Sequence, residues 1–421
     1  MEECPPMGDL PRKWVWVRSR YTLAPLFLSI LLVSLGCRGS VDDALVTSSD
    51  PRLASIAVRI LPELASRSGM ELRAPVRVER RSRVDLERYL EFKIDDEFPE
   101  DRAALLSEAY WLLGLVPQDM DLRGTLKGIY LEQIAGLYDP DSTTLFVLDD
   151  QPDEEIEALL VHELVHAIQD QSMDLDAITA PGLSSDRRAA AQAAIEGHAT
   201  LVMFDFLMQD QGSVASDLMD VPDFSERLGP ALEAARSQSP ALAEAPLVLQ
   251  EAVLFPYRGG VGFVEALWKD RGGRPPPFGP DLPSSTEQVL HPENFAGGQR
   301  DMARDVDVSV EAGWSRLYED TLGELELGIL LETVGGSRAM ALGWGGDRYV
   351  LIDDGDGHRS LAWFGVWDTP QQRDRFVREL EPRLFALPKP ASLTALEIGG
   401  LPATSLLVGD VPDVTASLGA L

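Results

Sequence analysis

The spacing of apolar residues predicts a chain that is mostly helical in its first part and richer in strands in its second. Between Pro51 and Ser68 the apolar residues recur at intervals of three and four, which is typical of an amphipathic helix that begins at a proline. The elements predicted next are a strand over residues 74–78 and helices over residues 86–92, 102–115 and 122–134. This mostly helical first part, residues 51–134, contains no group of residues that specifies a reaction.

Two short β-prone runs follow and lie directly before another helix. Asp139, Pro140 and Asp141 separate the two runs and favour a tight turn, so the sequence predicts a β-hairpin over residues 136–148. An edge strand at this position can pair with an extended peptide, although the hairpin can equally serve the structure alone. The helix that follows begins near Pro152, with acidic residues at its positive end.

Residues 162–166 of this helix read His-Glu-Leu-Val-His, and their types and spacing together specify chemistry. Residues four apart lie on one face of a helix, so His162 and His166 can present two imidazoles to one metal ion. Glu163 is close enough to take a proton from a water molecule on that ion. The motif therefore predicts two Zn²⁺ ligands and a general base. The competing interpretation is that both are hydrogen-bonded core histidines and that the motif is accidental.

A zinc hydrolase of this kind needs a third protein ligand. Metzincins have glycine and histidine where this chain has Gln169 and Ser172, so that class is excluded. A helix predicted over residues 186–210 places Glu196 among alanines, where an acidic side chain needs a partner. We predict Glu196 as the third ligand. His198 points away from Glu196 on this helix, so we predict that it lies at the cleft rim or supports the ligands from outside.

Several residues around the motif are candidates for supporting roles. Gly197 would permit close approach of the two metal-binding helices. Asp170, Asp174 and Asp176 could each accept an imidazole N–H, although a solvated acidic face is an equal interpretation.

The second half of the chain offers two candidates for a donor to the reaction's oxyanion. Residues 248–270 are predicted to form two helices, because Pro256 and the paired glycines after it favour a break. Tyr257 lies in this break and His291 lies at the end of a later short segment, and each can donate a hydrogen bond. Alternatively, Tyr257 packs in the core and His291 fixes a loop.

From about residue 301 the pattern of apolar residues changes, and it predicts a small α/β subdomain over residues 301–421. Its acidic turn, residues 354–357, lacks the later glutamate of a calcium-binding EF-hand. Helices are predicted over residues 322–334 and 369–384, and strands over residues 339–344, 348–353 and 360–367 and within 393–407.

The N-terminus has the pattern of a secretory signal. Basic residues precede a short apolar run that ends at Cys37, so residues 1–36 are predicted to be a lipoprotein signal peptide and Cys37 the lipidated residue. Residues 37–50 are polar and small, as expected of a flexible tether. Arg38 after the cysteine favours the outer membrane or cell surface over the inner membrane. An ordinary signal or an uncleaved anchor is the alternative.

Charge narrows the range of partners. The net charge of −32 argues against nucleic acid as a partner, because like charges repel. A lipid anchor and a peptide or protein substrate are consistent with this balance.

These motifs resemble a family of bacterial neutral zinc metallopeptidases, mostly uncharacterised, with a gluzincin-like site. The resemblance covers about residues 74–380 and implies a zinc hydrolase without indicating a substrate. His198 stands where such sequences more often have Asp or Glu. The matching segments are residues 132–140, 162–171, 196–200, 255–257, 285–292 and 343–349.

Together these observations predict an α+β protein. Residues 51–300 would form a zincin-like, mostly helical metallopeptidase domain with a short hairpin before the active helix, followed by the subdomain of residues 301–421. The predicted function is zinc-dependent hydrolysis of peptide bonds outside the cytoplasm. The alternatives are a non-catalytic envelope binding or assembly protein with a structural metal site, and a zinc hydrolase that acts on other bonds.

Overall fold

A computed structural model describes residues 45–180, 182–210, 218–221 and 223–419. The predicted signal peptide, Cys37 and residues 37–44 lie outside this part of the chain. The predicted tether extends too far, since Val46 is buried and pairs in parallel with Val76. Asp50 accepts hydrogen bonds from the backbone N–H groups of Arg52 and Leu53 and so begins the first helix. The folded chain therefore includes residues 46–50.

The chain alternates helices and strands in its first third, is helical in the middle and rich in strands at its end. The helices are α1 Pro51–Ser68, α2 Arg83–Glu97, α3 Glu100–Leu112, α4 Leu122–Gln133, α5 Asp153–Ser172, α6 Leu175–Ile178, α7 Ser185–Asp210, α8 Phe224–Arg227, α9 Gly229–Ser237, α10 Pro240–Glu244, α11 Leu247–Arg271, α12 Thr286–Leu290, α13 Pro292–Ala296, α14 Gly323–Thr333 and α15 Pro370–Leu380. The strands are β1 Val46–Thr47, β2 Val76–Arg81, β3 Gly136–Asp139, β4 Thr144–Leu148, β5 Val306–Val310, β6 Ser315–Asp320, β7 Trp344–Asp353, β8 Arg359–Trp367, β9 Ala391–Ile398, β10 Leu401–Val408 and β11 Val414–Leu418.

A four-stranded sheet lies beside the helices of the first part, in the order β1-β2-β4-β3. β1, β2 and β4 run parallel, and β3 pairs antiparallel with β4, so the predicted hairpin is confirmed. β3 forms one edge of the sheet. Because β4 leads directly into α5, this sheet fixes where the His-Glu-Leu-Val-His helix begins.

The helix α11 is continuous, and the prediction of a break at Pro256 is wrong. The glycines that suggested a break serve close packing with α7 instead. A Cβ atom on Gly260 would lie 2.0 Å from the carbonyl oxygen of Ala193, and one on Gly197 would lie 2.1 Å from the carbonyl carbon of Gly260. The backbones of α7 and α11 therefore touch at this crossing. Gly197 permits the approach of α11 to α7, and not, as predicted, the approach of the two metal-binding helices.

The end of the chain forms a five-stranded antiparallel sheet in the order β6-β7-β8-β10-β9. Successive residues of a strand point to opposite faces. Tyr349 and Leu351 of β7 accordingly belong to the main core, whereas Val350 and Ile352 pack against the ribbon formed by β5 and β11. The strand predicted over residues 339–344 is wrong, since Arg338–Ala341 is a 3-10 helix, and β5, β6 and β11 were not predicted.

The main hydrophobic core includes residues on both sides of the predicted boundary at residue 300, and a second, smaller cluster lies wholly after it. One core of buried residues extends from Val46 to Val408 and includes α14. Polar contacts join the same parts, because Asp186 at the start of α7 accepts hydrogen bonds from Thr286, and the backbone N–H of Ser185 donates to Asp320. The fold is mixed α+β, as predicted. No helix in the described ranges is both long and apolar enough to span a membrane.

Gly260→Ala should destabilise the fold strongly. The added methyl group would overlap the backbone of α7, and overpacking of this kind costs about 3 kcal/mol or more in the free energy of unfolding. Urea unfolding followed by circular dichroism measures the change. Gly262→Ala is the matched control on the same helix, because the nearest atoms to its Cβ lie 3.8 Å away. The control should be neutral or stabilising by up to about 1 kcal/mol, and equal effects of the two variants would contradict the close crossing.

Candidate metal centre

Three predicted ligand side chains meet where α5 packs against α7. His162 and His166 lie one turn apart on α5, and their Nε2 atoms are 3.1 Å apart. Glu196 faces them from α7, with its Oε2 atom 3.3 Å from Nε2 of His162 and 3.6 Å from Nε2 of His166. The structure therefore brings together all three residues that the sequence predicts as ligands.

The geometry of this cluster fits a zinc ion. In tetrahedral sites the Zn–N distance is about 2.0–2.1 Å, so neighbouring ligand atoms are roughly 3.3 Å apart. His162 and Glu196 are each 2% exposed and His166 is 4% exposed. Burial of these polar groups is unfavourable unless they are paired, and a cation offsets that cost. Among the described residues the cluster has three His, Cys, Asp or Glu ligands, so a tetrahedral ion would keep one position for water or substrate.

Electrostatics favour an ionised Glu196 beside a neutral His162. Burial alone would raise the pKa of Glu196, but the charge of His166 and the hydrogen bonds from both histidines hold that pKa below its ordinary value. Burial lowers the pKa of His162. A neutral His162 and an ionised Glu196 are the forms that bind zinc.

A chain of hydrogen bonds outside the cluster orients His166. Its Nδ1 atom lies 2.7 Å from Oε1 of Gln169, and Nε2 of Gln169 lies 3.0 Å from Nδ1 of His198. The Nε2 atom of His198 lies 3.1 Å from the carbonyl oxygen of Ser68, the last residue of α1. Carbonyl groups at a helix C-terminus lack an intrahelical partner, so this carbonyl is available as an acceptor.

The donor-to-acceptor direction of these hydrogen bonds fixes the tautomer of His166. Because the Ser68 carbonyl can only accept, His198 donates from Nε2 and accepts at Nδ1 from the amide nitrogen of Gln169. The amide oxygen of Gln169 then accepts from Nδ1–H of His166, which leaves the Nε2 lone pair directed at the cluster. Burial lowers the pKa of His198 to about 3, so this ring stays neutral.

These contacts revise the predicted supporting residues. Gln169, which the sequence analysis used only to exclude metzincins, orients His166, whereas Asp170 accepts a hydrogen bond from the hydroxyl of Tyr138 at 2.8 Å. Asp174 begins α6 by accepting the N–H of Ala177. His198 is fully buried and supports the ligands, so it does not lie at a cleft rim. The signal for Gln169 was its position three residues after His166, on the same helix face.

The predicted base, Glu163, is fully buried and contacts the hairpin. Its Oε2 atom accepts a hydrogen bond of 3.1 Å from the backbone N–H of Tyr138 on β3. The edge strand therefore holds the carboxylate beside the two histidines. The negative charge of Glu163 also contributes to raising the pKa of His166, although burial acts in the opposite direction and Glu196 contributes more.

The two candidate oxyanion donors differ in position. Tyr257 lies within α11, and its ring centroid is 6.5 Å from that of His162. His291 follows α12 and pairs with Glu324 through Nε2 at 2.9 Å. The structure brings Tyr257 close to His162 of the candidate metal cluster, whereas His291 lines a different pocket.

An apolar cavity of about 140 Å³ lies beside the cluster, with His166 and Glu196 in its wall. Most of its exposed wall is hydrocarbon, so it suits an apolar group. Apolar side chains in the wall include Leu90, Ile94, Phe98, Leu126, Ile134 and Leu137.

Comparison with known proteins adds one partial match. The family described as Domain of unknown function (DUF8575) matches residues 310–390, a range that contains β6, α14, β7, β8 and α15 but none of the three candidate ligands. No curated protein and no solved structure matches the chain.

Gln169→Leu should weaken zinc binding. The substitution keeps the side chain's approximate size but removes the acceptor that orients His166, and loss of such contacts typically lowers metal affinity 10–100-fold. Competition with a chromophoric chelator measures the dissociation constant. Gln171→Leu is the matched control, because within the described part of the chain the side chain of Gln171 bonds backbone atoms of Arg73 and Ala74 and none of the three clustered residues. Equal affinities in the two variants would contradict the orienting role.

Proposed function

We propose that this protein is a zinc-dependent metallopeptidase with a gluzincin-type centre. His162, His166 and Glu196 hold the ion, and residues 51–300 form a zincin-like domain around it. The observation that carries the proposal is the buried three-residue cluster with Glu163 beside it, oriented by β3. A structural zinc site ordinarily has four protein ligands, whereas a catalytic site keeps one position open.

Within this proposal each residue has a distinct task. Zinc, when bound, supplies a Lewis acid that polarises the scissile carbonyl and lowers the pKa of water. Glu163 accepts the proton of the attacking water at a carboxylate oxygen and delivers it to the nitrogen of the leaving amine. The N–H of Tyr138 keeps this carboxylate in position. Gln169 keeps His166 in the tautomer that the site requires.

Tyr257 is the proposed hydrogen-bond donor to the oxyanion. Its ring is close to that of His162, and it is held on a helix whose crossing with α7 is fixed by glycine contacts. A donor that is already in position stabilises developing negative charge without reorganisation. His291 has no part in this scheme, since Glu324 engages its ring.

The substrate that fits this site is a peptide or protein with an apolar side chain near the scissile bond. The cavity beside His166 and Glu196 is lined mainly by hydrocarbon. We place the enzyme outside the cytoplasm, anchored by lipid at Cys37 in the cell envelope. The net charge of −32 supports a partner other than nucleic acid.

Glu163→Gln should retain zinc and lose hydrolysis. Loss of a general base typically lowers the rate 10²–10⁴-fold, whereas the amide still accepts the N–H of Tyr138. Turnover of a fluorogenic peptide library and zinc content by mass spectrometry measure the two effects. Glu196→Ala is the comparison, because it should lose zinc and activity together. Unchanged turnover in Glu163→Gln would reject the assignment and leave the cluster as a structural site.

Tyr257→Phe should lower kcat with little change in KM or zinc content. The substitution removes only the hydroxyl, and loss of one oxyanion donor typically costs 10²–10³-fold in kcat. Steady-state kinetics on the same peptide measure this. Tyr349→Phe is the control, since Tyr349 lies on β7 and its buried hydroxyl has no hydrogen-bond partner among the described residues, so kinetics should not change. A kcat for Tyr257→Phe equal to that of the unchanged protein would assign Tyr257 to packing alone.

A further inference from the structure

Three carboxylate side chains converge at a second place, away from the metal cluster. Glu287 is on α12, Asp301 is in the segment between α13 and β5, and Asp368 follows β8. One oxygen atom from each lies within 4.8 Å of the other two. The cluster therefore joins two neighbouring segments of chain, which carry Glu287 and Asp301, to the more distant segment that carries Asp368.

Glu287 distinguishes this cluster from a solvated acidic surface. It is only 4% exposed, and its Oε2 atom is buried without a hydrogen-bond partner in the described parts of the chain. Buried polar atoms are nearly always paired, and a buried carboxylate without a partner is strongly unfavourable. Such an atom, in a residue that shares a pocket with two further carboxylates, indicates a ligand that carries positive charge.

Among the described residues that line the pocket of these carboxylates, the one group that can carry positive charge is His291, and it is already paired with Glu324. The three carboxylates line a pocket of about 170 Å³, and none of the described residues in its wall is lysine or arginine. His291 also lines it, but Glu324 engages the Nε2 atom of that ring. Burial, together with the negative charge of Glu324 and the two aspartates, raises the pKa of Glu287 to about 10.

The neighbouring contacts hold the carboxylates in place. Gln288, next to Glu287, donates from Nε2 to the carbonyl oxygen of Asp301 at 2.8 Å and accepts the N–H of Ser284. Ser285 caps α12 through a bond to the N–H of Gln288. The backbone of Asp301 is thereby fixed beside α12, and its carboxylate shares the pocket with Glu287.

We propose that Glu287, Asp301 and Asp368 bind a calcium ion. The ligands are all oxygen atoms, the pocket has room for water ligands, and calcium accepts six to eight such ligands in irregular geometry. Zinc prefers nitrogen and sulfur, and magnesium demands near-ideal octahedral geometry, so both fit less well. The ion would fasten α12 to the segment that leads into the final sheet and to the loop after β8.

Calcium binding to the full chain tests this proposal, with Glu287→Gln as the decisive variant. Equilibrium dialysis with radioactive calcium should give one ion per chain, with a dissociation constant on the order of 10⁻⁴–10⁻³ M, the range of extracellular modules. Glu287→Gln and Asp368→Asn should each weaken binding at least tenfold. Asp356→Asn, in an exposed acidic turn, should leave it unchanged. Glu196→Ala should also leave it unchanged, because the two sites share no residue.

Thermal unfolding tests the proposal in a second way, because the effect of Glu287→Gln on the unfolding temperature should reverse when calcium is added. Without calcium at neutral pH, Glu287→Gln should unfold at a higher temperature than the unchanged protein, because the buried carboxyl of Glu287 must take up a proton when the chain folds, whereas an amide is already neutral. With about 5 mM calcium, above the expected dissociation constant, the order should reverse. Absence of saturable calcium binding, equal responses in Glu287→Gln and Asp356→Asn, or equally tight binding of magnesium would each overturn the proposal.

Discussion

The burial of two imidazoles and a carboxylate at one helix crossing is the constraint on which the rest of this structure depends. His162, His166 and Glu196 are removed from water, so their polar atoms need partners among themselves, among the groups behind them or in a bound cation. Their positions follow from how closely α5, α7 and α11 pack. Gly197 and Gly260 let α11 touch α7, and α1 contributes the carbonyl of Ser68 that ends the hydrogen-bond chain from His166. Four helices therefore determine the geometry of one site.

Much of this site could be predicted because its determinants are local. The motif of residues 162–166 places two histidines on one helix face, and the turn at residues 139–141 defines the hairpin before it. Glu196 could be predicted because an acidic side chain amid alanines on a helix needs a partner. The contact of β3 with Glu163 could not, since it depends on how the sheet edge lies against α5.

The structural features that the sequence analysis predicted wrongly or missed all depend on tertiary contacts. Pro256, Gly259 and Gly260 favour a break when considered alone, but packing against α7 overrides that preference and keeps α11 continuous. The partner of β5 is β11, more than a hundred residues later, so no local pattern indicates their pairing. His198 and Ser68 lie 130 residues apart, and only the folded chain brings them together. The match of residues 310–390 to a domain of unknown function covers three of the five strands of the final sheet and does not bear on this chemistry.

The central claim is that His162, His166 and Glu196 form one zinc site. Anomalous diffraction from crystals of the zinc-loaded protein, measured on both sides of the zinc absorption edge, tests it most directly. We predict a peak within about 2.0–2.2 Å of the two Nε2 atoms and of a Glu196 oxygen, with the remaining position filled by water. A zinc peak elsewhere, or one that lacks Glu196 or has a fourth protein ligand, would contradict the claim.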